Sequence, residues 1–186
     1  IMALSKIDAA NFLTGTIPSG NIATSSLSAS TIGKVIQVVS TSKTDTFSSN
    51  STGSFIDITG LSLSITPSST SSKIFLSFTI NGGASANNYA HFRLVRGSTA
   101  IGVGDAAGSR IQGTSNFRKT ATASQDTYTN EFLDSPSSTS ALTYKLQVYN
   151  NTSGYIYINS SSNDSDSANQ TRAISTLTAM EISAWF

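Results

Sequence analysis

His91 is the only histidine of this 186-residue chain, so any imidazole acid–base chemistry would have to turn on it. Cysteine is absent, which removes thiolate nucleophiles, disulfides and thiolate-bound zinc together. A Ser-His-Asp triad needs an imidazole held by a carboxylate and within reach of a hydroxyl. Hydroxyls and carboxylates are plentiful along the chain, so their presence selects no partner for His91. His91 lies in the alternating run 89–96 on the same face as Arg93, which predicts a surface or interface histidine. No catalytic residue is therefore expected, and the chain is read as non-enzymatic.

Two further constellations have the residue types of a ligand site but not the spacing. Gly102-Val103-Gly104 followed by Gly108 departs from the dinucleotide fingerprint, and no helix pattern follows it. A turn is expected there, and no cofactor. Asn163-Asp164-Ser165-Asp166 offers hard oxygen ligands of the kind Ca²⁺ takes, without the glycine and glutamate of an EF-hand loop. A solvated turn is the expectation, no metal site is assigned, and Ca²⁺ near Asp164 and Asp166 stays an open question. Asp134, opening the polar stretch 134–140, is read in the same way as a solvated turn residue.

The aromatic side chains carry more information. Tyr149, Tyr155 and Tyr157 alternate with aliphatic neighbours and should point away from the core, as an exposed row able to hold a glycan or a receptor. Cross-strand packing on a half-covered sheet is the competing reading. Trp185 and Phe186 stand at the very end of the sequence, where two large rings call for a covering surface and are assigned to assembly.

These residues must be positioned by strands. Leu61, Leu63 and Ile65 alternate with polar residues until Pro67, and Ile74, Leu76, Phe78 and Ile80 do so until Asn81-Gly82-Gly83, which reads as a turn. Leu142, Tyr144, Leu146 and Val148 repeat the pattern, as do Ile156 with Ile158, and 174–182 is a last strand-like run. Further strand candidates cover 35–39, 54–58, 91–96, 99–103 and 127–133, while 105–126 reads as one long polar loop. No window holds a capped amphipathic helix. The expected fold is all-β: a jelly-roll-like antiparallel β-sandwich over residues 34–186.

Residues 1–33 follow a different rule. Ile7, Phe12, Ile17, Ile22, Leu27 and Ile32 recur at every fifth position, matching neither the helix nor the strand period. Two readings stand side by side: a short pentapeptide-repeat-like coil, or an extended Ser/Gly-rich arm. Either way the six apolar side chains need a partner surface, so the segment is assigned to anchoring and assembly.

Composition agrees with a β-protein that faces water through hydroxyls. There are 36 Ser and 24 Thr, while charged residues make up only 11%. That is well under the roughly 25% usual for globular domains. The net charge is +1 and the cations are scattered singly, so nucleic acid is not an expected partner. No apolar stretch is long enough to predict membrane insertion. Nothing at the N-terminus reads as a secretory signal, and Ile1 before Met2 leaves open whether residues precede it.

Several segments resemble small fibre-like appendage proteins of tailed, particularly marine, bacteriophages. They are Met2-Ala3-Leu4-Ser5-Lys6-Ile7-Asp8, Leu13-Thr14-Gly15-Thr16-Ile17-Pro18 and Gly33-Lys34-Val35-Ile36-Gln37-Val38-Val39-Ser40. Lys43-Thr44-Asp45-Thr46-Phe47, Leu94-Val95-Arg96-Gly97-Ser98-Thr99, Asp134-Ser135-Pro136 and Met180-Glu181-Ile182 are similar too. The resemblance runs along nearly the whole chain and rests on turns and strands. It implies a virion protein, extracellular when displayed: a tail fibre, spike or decoration protein, usually a homotrimer with a jelly-roll-like head. The arm would meet other virion proteins, and the loops 105–126 and 159–171 would be open to a host receptor or glycan. A carbohydrate-binding adhesin is the alternative reading.

Overall fold

The computed structural model describes residues 34–119 and 124–183. The period-five residues Ile7, Phe12, Ile17, Ile22, Leu27 and Ile32 and the terminal pair Trp185 and Phe186 lie outside the described residues.

The described chain contains eleven strands: β1 (Val35–Lys43), β2 (Phe47–Ser49), β3 (Phe55–Ile65), β4 (Lys73–Ala84), β5 (Asn88–Arg96), β6 (Thr99–Ile101), β7 (Ser115–Lys119), β8 (Asp126–Asp134), β9 (Leu142–Asn150), β10 (Ile156–Ile158) and β11 (Ser175–Ile182). No helix occurs among the described residues. Six strands form one sheet in the order β1-β11-β4-β10-β2, with β8 on the other side of β4. Five form the second, β3-β9-β5-β6, with β7 beside β6 along β5. All the strand ladders are antiparallel. Taken along their long strands, β1-β11-β4-β8 and β3-β9-β5-β7 have the strand order of a jelly roll. The expected fold class is the one observed.

The core follows from two-residue alternation. Ile74, Leu76, Phe78 and Ile80 of β4 are buried and meet Phe92 and Leu94 of β5 and Tyr144, Leu146 and Val148 of β9 in one cluster between the sheets. Burying these side chains is the main favourable term holding the two sheets together.

Three sequence expectations need correction. Gly82 and Gly83 do not turn the chain; β4 runs through them to Ala84, pairing with Ile158 and Tyr157 of β10. A Cβ on Gly83 would lie 3.0 Å from the Ser124 carbonyl oxygen and 3.1 Å from that of Ser160, so glycine serves close backbone approach here. The stretch 105–126 is not one loop, because Ser115–Lys119 forms β7 against β5. Only Phe117 and Lys119 of that strand are buried, so its apolar signal is a single residue. The separate runs 54–58 and 61–65 are one strand, β3, with an irregularity between Asp57 and Ser62 where Gly60 takes a φ of +90°.

Candidate functional site

The two outer faces of the sandwich differ in chemistry. On the first sheet, Val38 pairs with Met180, Met180 with Phe75, and Phe75 with Leu133, giving one apolar row across β1, β11, β4 and β8. Val38 is 56% exposed and Leu133 52%, while Met180 and Phe75 are half-buried. Val35 and Ile182 form an apolar pair in the adjacent row, which ends on Lys73 of β4. The register shift between Val35 and Gln37 inserts one extra residue there, and Ile36 is exposed as well. The next row is polar, Ser40, Thr178, Ser77 and Glu131, with Ser40 and Thr178 joined by a hydroxyl hydrogen bond of 2.9 Å. Lys73 and Glu131 flank the apolar row on opposite sides, so the patch carries no single-sign field.

The second sheet presents aromatic rings among polar and charged groups. Asn116, His91, Tyr149 and Phe55 form a row across β7, β5, β9 and β3. His91 meets the Tyr149 ring edge-on with centroids 5.9 Å apart, and Tyr149 meets Phe55 at 5.2 Å. The Arg93 guanidinium sits 3.8 Å from the Phe55 ring centre and donates from Nε to Gln147 Oε1 at 2.8 Å. Gln147 in turn donates to Asp57, which also accepts from Lys145 Nζ at 2.8 Å. Burial raises the Asp57 carboxyl, but hydrogen bonds from Lys145 and Gln147 more than reverse that, so it stays ionised. Burial holds His91 below the ordinary 6.5 of an imidazole, so it is neutral at pH 7.

A cleft of about 560 Å³ opens beside this row, between Tyr89 and His91 of β5, Ser115 and Asn116 of β7, the segment carrying Ser109, Arg110 and Ile111, and Asn151. Among the described residues its lining holds one permanent cation, Arg110, and no carboxylate. The Tyr89 ring lies under the Arg118 guanidinium, 5.3 Å from its centre, and its backbone carbonyl accepts from Asn151. The sequence predicts a surface or interface histidine at His91 and singles out none of Tyr89, Arg110, Asn116 and Asn151. The pairing of β5 with β7 brings Asn116 opposite His91, and that pairing carries little sequence signal.

Tyr149, Tyr155 and Tyr157 do not form one row. All three point away from the core, but Tyr149 belongs to the second sheet, whereas Tyr155, just before β10 of the first, stacks at 5.9 Å on Tyr157 within that strand. Asp164 is bound by Arg172 rather than standing open, and no cluster of three His, Cys, Asp or Glu gathers among the described residues.

Asp134 is a clear departure from expectation. It is 5% exposed at the end of β8, where Arg96 of β5 and Tyr144 of β9 bind it, not a solvated turn residue. Glu181, which the sequence gives no site role, is fully buried and accepts four hydrogen bonds.

No family model matches the chain, and no curated protein matches it. Among solved structures, a chain of "Structure of infectious bursal disease virus Gx strain" is similar at 13% identity with a TM-score of 0.39. The match covers 80% of this chain and 40% of that one, so this chain spans less than half of its length.

Proposed function

We propose that the chain is a non-enzymatic virion structural protein, a fibre, spike or decoration appendage of a tailed phage, assembling as a homotrimer and displaying its jelly-roll head. The carrying observation is the apolar row Val38–Met180–Phe75–Leu133 on the outer face of the first sheet, exposed at its two ends and half-buried between them. Contiguous apolar surface of this kind marks an association face. A second copy of the chain is the occupant the face suits, because the patch is flanked by one cation and one anion and so does not repel its own kind. The appendage assignment itself draws on the sequence resemblance, and the arm 1–33 is the segment assigned to the particle. The hydroxyl-rich, charge-poor surface fits a displayed protein whose interactions are made by shape and hydrogen bonds.

The test is solution mass by light scattering on the full chain and on the Val38→Glu/Leu133→Glu double variant. Both side chains are more than half exposed, so the substitutions should spare the fold, checked by circular dichroism. A trimer that drops to monomer in the folded variant supports the reading. A wild-type monomer at micromolar concentration, or a trimer indifferent to both glutamates, overturns this face as the assembly surface.

A further inference from the structure

We propose that the cleft beside β5 and β7 binds an anionic saccharide, with the sugar carboxylate on Arg110 and a ring face against Tyr89. The inference uses the displayed-head reading for its purpose, but the cleft is built from a single copy of the chain. Its volume, about 560 Å³, falls within the range of small-molecule sites.

The lining chemistry selects the class. Asn116 and Asn151 each carry a donor and an acceptor, and Ser115 a hydroxyl that does both. Sugar hydroxyls likewise donate and accept, so such a wall can satisfy them in either sense. A tyrosine ring offers the apolar face that the C–H side of a pyranose needs, together with a polar tip. Tyr89 is held in place by the Arg118 guanidinium over its ring and by the Asn151 contact to its backbone. Aliphatic lining is confined to Ile111 and the small side chains, too little for a lipid or an apolar peptide.

Charge narrows the class further. Among the described residues Arg110 is the permanent cation of the lining, and no carboxylate there neutralises it. Its guanidinium makes one backbone contact, from Nη1 to the Ala107 carbonyl at 3.2 Å. A guanidinium fork matches a carboxylate in two parallel hydrogen bonds, which an ammonium cannot do. His91 closes the cleft on the β5 side as a neutral imidazole that donates or accepts without adding charge.

The experiment is calorimetric titration of the full chain with tetragalacturonate, maltotetraose and tripolyphosphate, repeated on Arg110→Gln and Arg110→Lys. Binding of tetragalacturonate, weakened at least about tenfold in Arg110→Gln and only partly restored by Arg110→Lys, is the expected result. Equal binding of maltotetraose would make the cleft a neutral-sugar site and overturn the proposal. Equal binding of tripolyphosphate would make it a plain anion site, with the same consequence. Absence of binding by all three overturns it whatever the solution mass, while a monomer that still binds tetragalacturonate overturns only the assembly reading.

Discussion

Arg96 and Asp134 join the two sheets at one end of the sandwich: Arg96 Nη1 lies 2.7 Å from both carboxylate oxygens of Asp134. Tyr144 completes the arrangement, donating its hydroxyl to Asp134 Oδ2 at 2.6 Å. Asp134 ends β8 of the first sheet, whereas Arg96 and Tyr144 belong to β5 and β9 of the second. Burial and the bond to Asp134 together push the Tyr144 phenol well above its ordinary range, so it is a fixed donor. Asp134→Asn should cost about 3 kcal/mol, because it removes the charge on which a buried hydroxyl and a half-buried guanidinium both depend. Tyr144→Phe should cost about 1.5–3 kcal/mol. Urea unfolding of both variants and of the double variant checks this, with the double loss smaller than the sum.

Glu181 predicts acid sensitivity. Ser68 donates to Oε1 from its backbone N–H and its hydroxyl at 2.7 and 2.6 Å, Ser72 from its hydroxyl at 2.7 Å, and Gln37 Nε2 to Oε2 at 2.6 Å. Burial alone would raise the carboxyl, but these donors from Ser68, Gln37 and Ser72 hold it down at about 2. Since that lies below the unfolded value of 4.5, its contribution is complete above 4.5 and is lost as the pH falls from there toward 2. On the order of 2–3 kcal/mol should disappear over that interval. Glu181→Gln should be less stable than wild type at pH 7 and lose less on acidification, read as urea midpoints at pH 7, 4.5 and 3.

Gly83 should not tolerate a methyl group. The atoms a Cβ would meet belong to the backbone of Ser124, Ser160 and Ser161, which cannot swing aside as a side chain would. Gly83→Ala is expected to cost about 1–3 kcal/mol. Gly104→Ala is the matched control, since a Cβ there meets nothing within 4 Å. Thermal melting should separate the two; equal melting temperatures would contradict the close approach.

Asn159 is buried with a φ of 61°, and its amide nitrogen donates to the carbonyls of Lys43 and Asp45 at 2.8 and 2.9 Å. Its amide oxygen accepts from Ser175 at 2.7 Å. Asn159→Asp would set a carboxylate against two carbonyl oxygens and should cost about 2–4 kcal/mol. Ser175→Ala, which removes one bond, should cost about 1 kcal/mol. Chemical denaturation in that order of severity is the expected outcome.

The contrast between Ile74–Ile80 and Asp134 shows which properties were local. Strand alternation is a property of neighbours in sequence, so the buried faces of β4 and β9 are legible directly, and ten or so short strands point to a sandwich. Lone polar residues gave no such signal. Asp134, Glu181 and Asn159 owe their burial to donors and acceptors that stand 38, 113 and 116 positions away. Gly82 and Gly83 look like a turn from their types alone, and only the neighbouring β10 makes them strand. The cleft is of the same kind: Tyr89, Arg110 and Asn151 are unremarkable singly and meet only because β5 lies between β7 and β9. By itself the sequence determined the β-class, the buried faces and the hydroxyl-rich surface, because side-chain period and residue type suffice for those. Tertiary structure decided the polar clamp, the acid-sensitive carboxylate, the apolar row and the cleft, because each is a set of contacts between residues that the chain brings together only on folding.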